Sequence, residues 1–193
     1  MRLAILDQGH SFGTKVMFTF IRLFSGHRVV DAVKLVMYRP DFYGGPMKPL
    51  THEAMRGPSA WSVGDRELMA AFISQQNATE FCVKAHSAVA ARAYGDRDRV
   101  SSVLADLDAA PIGEPLRATL RMLGKLTREH AVDANDMRGV LAAGASRAQI
   151  EDALAVCFAF NTTDRLADAF AFHVPGPKAF EAGAKFLLAR GYR

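Results

Sequence analysis

Hydrophobic residues recur at three- and four-residue spacing along most of the chain, which is the pattern of amphipathic helices. The clearest case lies between 114 and 130, where leucines at 116, 120, 123 and 126 form one stripe. Ser62 is a capping residue before another such stretch, and Ser146 to Gln149 form a capping box before a long one. No convincing strand pattern appears. The sequence therefore predicts an all-α fold of about eight or more helices, mostly antiparallel neighbours joined by short loops.

The breaks between these stretches are glycine and proline clusters, and they set the predicted boundaries. Residues 1–13 are predicted to form an irregular arm. Helices are predicted at 14–25, 29–38, 46–55, 62–74, from Asn77 or Thr79 to about 94, 98–107, 114–130, 135–143, 146–172 and 177–188. We divide the chain into a helical N-terminal arm, 1–45, and a compact helical domain, 46–193. The amphipathic arm suits a substrate lid, a dimerisation element or a membrane-surface helix, and packing on protein is favoured because buried stripes usually pack there.

Composition narrows the class of protein. Half of the 193 residues are hydrophobic and 23% are charged, so the chain can bury a core. Two cysteines do not make a disulfide scaffold and suggest a reducing compartment. The formal net charge is +4. Lys and Arg are scattered among Asp and Glu, so the sequence shows no basic patch of the kind that binds nucleic acid. No apolar run reaches membrane-spanning length, and the first residues lack a signal peptide. We therefore expect a cytoplasmic protein with no membrane span.

One stretch, residues 79–86, carries the candidate chemistry. Cys82 and His86 are four residues apart, so both leave the same face of a helix. A helix beginning at Asn77 or Thr79 places Cys82 in the first turn, where the helix dipole and a nearby imidazole both favour thiolate. Glu67 lies on a face of small residues in the preceding helix. If the two helices meet through small residues, Glu67 approaches His86, and the three side chains form a proton relay.

Each candidate residue also has a structural interpretation. Cys82 suits a buried small hydrophobe, His86 a satisfied core histidine and Glu67 a solvated helix residue. A zinc site of the same three residues is a sharper alternative, but no fourth ligand stands out. Cys157 lies among apolar residues and is predicted to be a buried, inert thiol. Asn161, Arg165 and Asp168 are predicted to be structural, with a substrate-facing role for Arg165 as the alternative.

The motif around these residues resembles the carboxymuconolactone decarboxylase and alkylhydroperoxidase D superfamily, and most of all its peroxidase-related branch. The family motif is a glutamate, then Cys-x-x-Cys beginning twelve residues later, then a histidine four past the second cysteine. Glu67, Thr79, Cys82 and His86 match that spacing at every position. The segment 158–168, with its Asn and Arg, resembles the family's closing helix, and 125–127 resembles a stretch before it. The resemblance covers roughly residues 45–175.

The resemblance implies an alkylhydroperoxidase D-like helical fold and a cytoplasmic homo-oligomer without metal or cofactor. It also implies an antioxidant oxidoreductase that reduces hydroperoxides and is restored by an external thiol. One departure matters: Thr79 replaces the first cysteine, so the resolving disulfide of the family cannot form. We expect the Thr79 hydroxyl to cap the backbone N–H of Cys82 instead. Cys157 would substitute only if the fold placed it within disulfide reach.

Three functional hypotheses follow. The first is a one-cysteine peroxidase in which Cys82 is oxidised, with His86 as base and acid and Glu67 as its partner. The second is a decarboxylase-like lyase that uses Glu67 and His86 for proton transfer on a carbon acid or lactone, with Cys82 only lining the pocket. The third is a non-catalytic oligomeric binding module. The sequence favours the first of these.

Overall fold

The computed structural model describes residues 1–192, and within that part of the chain all regular structure is helical. The predicted all-α fold is confirmed. The helices, in chain order, are α1 (Ile5–Gln8), α2 (Phe12–Ser25), α3 (Asp31–Tyr38), α4 (Gly45–Arg56), α5 (Val63–Gln76), α6 (Glu80–Tyr94), α7 (Arg97–Ala105), α8 (Glu114–Glu129), α9 (Ala134–Ala142), α10 (Arg147–Ala169) and α11 (Pro177–Arg190). Within residues 1–192, no helix combines the length and apolarity that a membrane span requires.

The predicted boundaries fail in three places. The arm before residue 14 is not wholly irregular, because α1 forms there. Pro40 and Gly44 do not open a loop: residues 40–44 form a π-helical turn, in which the N–H of Gly44 bonds to the carbonyl of Arg39, and α4 follows directly. Helix α10 ends at Ala169 rather than about 172, because Ala171 takes a left-handed conformation, with φ of 50°.

Helix α5 lies at the centre of the molecule and packs against α6, α8 and α10. Ten of its fourteen residues are buried, including Glu67. In the sequence, the first half of the stretch 146–172 is apolar nearly all round, which predicts that this helix lies at the centre. That prediction is wrong in part: α10 buries Ala153, Val156 and Phe160, but Phe158 on its other face is 58% exposed. One face of α10 is therefore buried against the core, whereas α5 is buried on most of its surface.

Helices α5 and α6 approach closely, as their small-residue faces predicted. A Cβ added at Gly64 would lie 2.6 Å from the ring of Tyr94, so only glycine fits at this contact. The link between the helices is the short segment 77–79, in which Ala78 has a φ of 58°. This tight connection fixes the relative rotation of the two helices that carry the candidate site.

Two clusters of buried apolar residues divide the interior. The larger one is built from α4 to α10 and contains Cys157. The second contains Cys82 and includes Leu6 and Leu35 from the arm, together with Phe81, Ala167, Phe172 and Phe180. The buried carboxylate of Asp31 also accepts a hydrogen bond from the N–H of His173 at 2.9 Å. Parts of the arm therefore share an apolar cluster with Cys82.

Helix α2 is the exception in the arm, because none of its residues is buried. The prediction that its apolar stripe packs on protein is not met within this chain. Phe12 and Phe24 at its two ends are 85% and 87% exposed.

Candidate active site

Glu67 is the hub of the site, and its fully buried carboxylate accepts three hydrogen bonds. Arg56 at the end of α4 donates from Nη2 at 2.6 Å, and the hydroxyl of Tyr192 donates at 2.9 Å. The third partner is Nδ1 of His86 on α6, at 2.7 Å from Oε2. The expected meeting of Glu67 and His86 is thus confirmed by direct contact between α5 and α6.

The charge state of Glu67 decides the proton position on His86. Burial acts to raise the pKa of the Glu67 carboxyl. The hydrogen bond and charge of His86 and the charge of Arg56 outweigh burial, so this pKa lies below its ordinary value. An ionised carboxylate can only accept, so Nδ1 of His86 is the donor in this pair. When the ring is neutral, its lone pair is therefore on Nε2.

Aromatic rings hold the imidazole of His86 in place. The ring of Phe160 meets it edge to face, with centroids 4.4 Å apart, and the ring of Tyr192 stacks on it at 6.4 Å. His86 itself is buried. Because aromatic rings from two parts of the chain pack on the imidazole of His86, it has little freedom to rotate. This packing fixes the direction of Nε2.

Cys82 lies one turn before His86 on α6 and is only 1% exposed. Burial raises the pKa of its thiol well above the ordinary value, and the negative charges of Asp164 and Asp168 raise it further. The prediction of a readily formed thiolate is therefore wrong. The helix start is in place, but desolvation and two carboxylates oppose the dipole.

The thiol of Cys82 lies close enough to Asp164, a fully buried carboxyl on α10, for each group to shift the pKa of the other. Asp164 accepts from the hydroxyl of Ser74 and from the amide of Asn77, both at 2.9 Å. Burial raises the pKa of Asp164 despite these three neighbours. In the described part of the chain, the hydrogen bonds of the His86 ring go to Glu67 and Tyr192, and none goes to Cys82. The site thus consists of two adjacent pairs of interacting side chains, Glu67–His86 and Cys82–Asp164.

Thr79 is the N-cap of α6, as predicted, but its side chain does not cap the helix. The hydroxyl donates to Oδ2 of Asp168 at 2.7 Å and so leaves the N–H of Cys82 without a side-chain acceptor. The expected cap on Cys82 is therefore wrong. The side chain of Thr79 instead ties the start of α6 to α10.

The remaining predicted residues lie around this centre. Cys157 is a buried free thiol, as predicted, and burial raises its pKa. It belongs to the larger apolar cluster, whereas Cys82 belongs to the second one. Asn161 donates to the sulfur of Cys157 at 3.1 Å and accepts from Asn77 at 3.0 Å, which connects it to the Asp164 network. Arg165 is exposed on α10.

The sequence analysis missed Arg56 and Tyr192, and it did not single out Asp164 for the site. Arg56 and Tyr192 are 11 and 125 residues from Glu67 in the chain, so no local spacing connects them with it. Asp164 carried one available signal, because it is an acid in a helix whose first half is strongly apolar.

Two of the clefts on the surface of the described residues have linings that do not include Glu67, Cys82 or His86. The wider one, of 670 Å³, lies between α3 and α4 and includes His52, whose Nδ1 accepts from the N–H of Tyr192 at 3.2 Å. The other lies beside His173 and Gly176. In residues 1–192, no three His, Cys, Asp or Glu side chains are arranged to hold a metal ion, so the zinc alternative lacks its cluster.

Comparison with known proteins agrees with the fold and the motif. Residues 45–125 match the model of the carboxymuconolactone decarboxylase family, a segment that contains Glu67, Thr79, Cys82 and His86. The resemblance to the carboxymuconolactone decarboxylase and alkylhydroperoxidase D-like superfamily is thereby confirmed over that segment. No curated protein matches the chain.

Two solved structures share the fold. One is an uncharacterized peroxidase-related protein from Silicibacter sp. TM1040, with a TM-score of 0.76, 22% identity and 91% of each chain covered. The other is an uncharacterized peroxidase-related protein from Ralstonia eutropha JMP134, described as an alkylhydroperoxidase AhpD core. Its TM-score is 0.75, with 19% identity and 93% of each chain covered. These likenesses extend the fold beyond the family segment to nearly the whole chain.

Proposed function

We propose that this protein is a hydroperoxide-reducing oxidoreductase in which Cys82 is oxidised and the Glu67–His86 pair moves the proton. The observation that carries the proposal is the buried hydrogen bond between Glu67 and His86, one helical turn from Cys82 on α6. Its position inside the family-matched segment adds support. The names of the structural neighbours point to the same reaction class.

The atoms and charges of the proposed reaction balance when the Cys82 thiol is protonated before it reacts. As Sγ of Cys82 attacks the outer peroxide oxygen, the O–O bond breaks and the thiol proton passes to Nε2 of His86. Since the His86 ring bonds to Glu67 and Tyr192 rather than to the thiol, this proton travels through one bridging water. His86 then gives the proton to the leaving alkoxide, which yields the alcohol and a sulfenic acid on Cys82. The Glu67 carboxylate stabilises the imidazolium between the two transfers.

The return half needs two equivalents of an external thiol. The first condenses with the sulfenic acid to give a mixed disulfide and water, and the second releases Cys82 and forms the external disulfide. Thr79 cannot take the place of the first thiol because a hydroxyl forms no disulfide. Cys157 packs in a different apolar cluster from Cys82 and holds its own bonds to Thr127 and Asn161.

The test is oxidation by a sub-stoichiometric amount of tert-butyl hydroperoxide, followed by mass spectrometry of each cysteine. Cys82 is expected to gain one oxygen before Cys157 does, and Cys82→Ser to abolish peroxide reduction. Removing the base in His86→Ala is expected to slow oxidation by about 10²- to 10⁴-fold. The matched control is Cys157→Ser, which is expected to retain the activity. A Cys82 that oxidises no faster than Cys157 would falsify the proposal.

The burial and raised pKa of Cys82 favour a second candidate, in which Glu67 and His86 act without the thiol. In this reaction Nε2 of His86 removes a proton next to the carbonyl of a lactone or carboxylic acid substrate. Turnover of such a substrate by Cys82→Ala, together with its loss in His86→Ala, would favour this lyase over the peroxidase. A non-catalytic binding module predicts no turnover in either assay.

The proposal also covers the organisation of the protein. Residues 46–193 form the catalytic helical domain and 1–45 the arm, and the protein acts as a cytoplasmic homo-oligomer. The many apolar helix faces of one small domain support the assembly. Light scattering on the purified chain checks it, and a strictly monomeric species at all concentrations would contradict it.

A further inference from the structure

Helix α2 presents an apolar surface that the rest of residues 1–192 leaves largely exposed. Its exposed large hydrophobic residues are Phe12, Val16, Met17, Phe20, Ile21, Leu23 and Phe24. With about 200 Å² for a large aromatic side chain, these seven expose on the order of 700 Å². Monomeric soluble proteins rarely carry an apolar patch above roughly 300–600 Å² unless it is functional. The exposed apolar face of α2 is therefore expected to bind a partner.

The seven side chains share one half of the helix. At about 100° per residue they fall within an arc of roughly 180°. The other half carries Phe18 and the polar residues, and the ring of Phe18 packs edge to face on the ring of buried His10 with centroids 4.9 Å apart. This contact places the Phe18 side of α2 against the protein body and leaves Lys15 and Arg22 exposed. The apolar half consequently points away from it.

The excess positive charge of the protein is concentrated in the same region. Residues 1–39 hold six Lys and Arg and two Asp, a net charge of +4, which equals the net charge of the whole chain. The rest of the chain is therefore neutral overall. Helix α2 itself contains Lys15 and Arg22 and no acidic residue. Both basic side chains lie on the polar half, beside the apolar arc.

We propose that α2 is an in-plane docking helix for the anionic surface of a lipid bilayer. An apolar half rich in phenylalanine with basic residues on the opposite half is the pattern of helices that lie in the bilayer interface. A second copy of the chain fits less well, because two α2 helices would bring four cationic side chains together without an acid. This inference is independent of the proposed reaction.

The experiment is vesicle flotation of the full chain with two lipid compositions. Vesicles of phosphatidylcholine mixed with phosphatidylglycerol are expected to bind the protein, and phosphatidylcholine alone to bind it far more weakly. Each basic side chain near an anionic surface contributes about fivefold. Lys15→Gln/Arg22→Gln is therefore expected to weaken binding roughly 25-fold, and added salt to weaken the wild type similarly.

Matched variants separate α2 from the general surface. Phe20→Ser/Phe24→Ser is expected to abolish binding, whereas Phe158→Ser/Phe186→Ser removes two other exposed phenylalanines, 58% and 59% exposed, and is expected to leave it unchanged. Lys178→Gln/Lys185→Gln removes the same charge from α11 as the basic α2 variant does from α2. All eight positions lie at or near the surface, so circular dichroism is expected to stay that of the wild type.

Three results would overturn the inference. The first is a failure of the wild type to float with phosphatidylglycerol vesicles, and the second is equal loss of binding in the α11 charge variant. The third is a dimer in light scattering that dissociates in Phe20→Ser/Phe24→Ser without any vesicle binding. That last result would assign the face to a second copy of the chain.

Discussion

At the residue scale, the Glu67–His86 and Cys82–Asp164 pairs differ in the groups that surround each carboxylate. Glu67 is kept ionised by a guanidinium, an imidazole and a phenol. Asp164 is surrounded by a hydroxyl, an amide and a thiol, all of them neutral donors, and its pKa is raised. Neutral donors stabilise a buried negative charge less than cations do. The acidity of the Cys82 thiol therefore depends on its neighbouring acid more than on its helix.

Replacing Asp164 is expected to make Cys82 more acidic. Asp164→Asn removes a negative charge beside the thiol and keeps one acceptor oxygen, which serves only one of the two donors, Ser74 or Asn77. The thiol pKa should fall, and it can be followed by the ultraviolet absorbance of the thiolate against pH in a Cys157→Ser background. Asp168→Asn is the matched comparison, with a smaller decrease because its charge raises the Cys82 pKa less. An equal or larger decrease in Asp168→Asn would contradict this assignment.

Replacing Glu67 is expected to cost stability in a pH-dependent way. Glu67→Gln leaves the charge of Arg56 buried without its carboxylate, a loss of about 3–5 kcal/mol in the free energy of unfolding. The folded pKa of Glu67 lies below its ordinary value of about 4.3. Its stabilisation is thus complete above that pH and is lost as the pH falls through the lower, folded pKa.

Urea unfolding at neutral and acid pH measures this difference. The gap between wild type and Glu67→Gln should shrink toward acid. Glu80→Gln, which breaks an exposed pair with Lys84 on α6, should change stability by about 0.5 kcal/mol or less at either pH. A gap that stays constant with pH would contradict the assignment of charge to Glu67.

At the element scale, the register between α5 and α6 decides whether the site exists. Gly64 fixes this register by letting the ring of Tyr94 lie against the α5 backbone. The hydroxyl of Tyr94 donates to Asp65, the capping-box residue that begins α5. One contact thus joins the start of α5 to the end of α6.

Gly64→Ala is expected to destabilise the fold by about 1–3 kcal/mol, because the added methyl group overlaps the Tyr94 ring. Gly139→Ala in α9 is the matched control. No atom lies within 4 Å of its new Cβ, so the change should stabilise by up to about 1 kcal/mol through helix propensity alone. Thermal unfolding of both variants measures the contrast. Stabilisation by Gly64→Ala would show that the two helices are not held at this distance.

A substitution at the start of α6 is expected to change what happens to Cys82 after it is oxidised. Thr79→Cys restores the cysteine pair of the family motif on a buried side chain of similar size. After hydroperoxide treatment, the protein is expected to lose two hydrogens to a disulfide instead of keeping one added oxygen. Thr79→Ser, which keeps the hydroxyl that donates to Asp168, should oxidise like the wild type. Persistent sulfenic acid in Thr79→Cys, seen by mass spectrometry, would contradict the proposed geometry.

Elements were the most predictable part of the structure, for a physical reason. The helix starts at Ser62 and Ser146 are set by local capping boxes, and the structure has them where the sequence predicted. The Glu67–His86 contact followed from small residues on two neighbouring helices. The acidity of Cys82 did not, because its pKa is raised first by burial in the tertiary fold and then by carboxylates of α10, more than eighty residues away.

At the scale of the whole molecule, the arm and the domain share one interior. Leu6 of α1 packs in the same apolar cluster as Cys82, and the N–H of Arg2 bonds to the carbonyl of Phe170. The spacing of residues predicted the arm but gave no sign of this contact, because tertiary packing between distant segments has no local pattern. We therefore expect the arm to limit how much solvent and reagent reach the sulfur of Cys82.

Leu6→Ala tests this connection. Deleting a buried leucine side chain is expected to cost about 2–5 kcal/mol in the free energy of unfolding. It should also speed the reaction of Cys82 with a small thiol reagent in a Cys157→Ser background. Leu3→Ala, at a residue 43% exposed, is the matched control and should change neither quantity by much. An unchanged rate at Cys82 in Leu6→Ala would mean that the arm does not shield it.

The phenol of Tyr192 on the Glu67 carboxylate has a consequence for biosynthesis. A ribosome adds 125 residues between these two partners, at about 5–20 residues per second. During those seconds the nascent acid has no phenol beside it, even if α5 and α6 have already coiled together. Any truncated translation product that stops short of position 192 therefore carries the motif in its sequence but lacks one of the three hydrogen bonds to the Glu67 carboxylate.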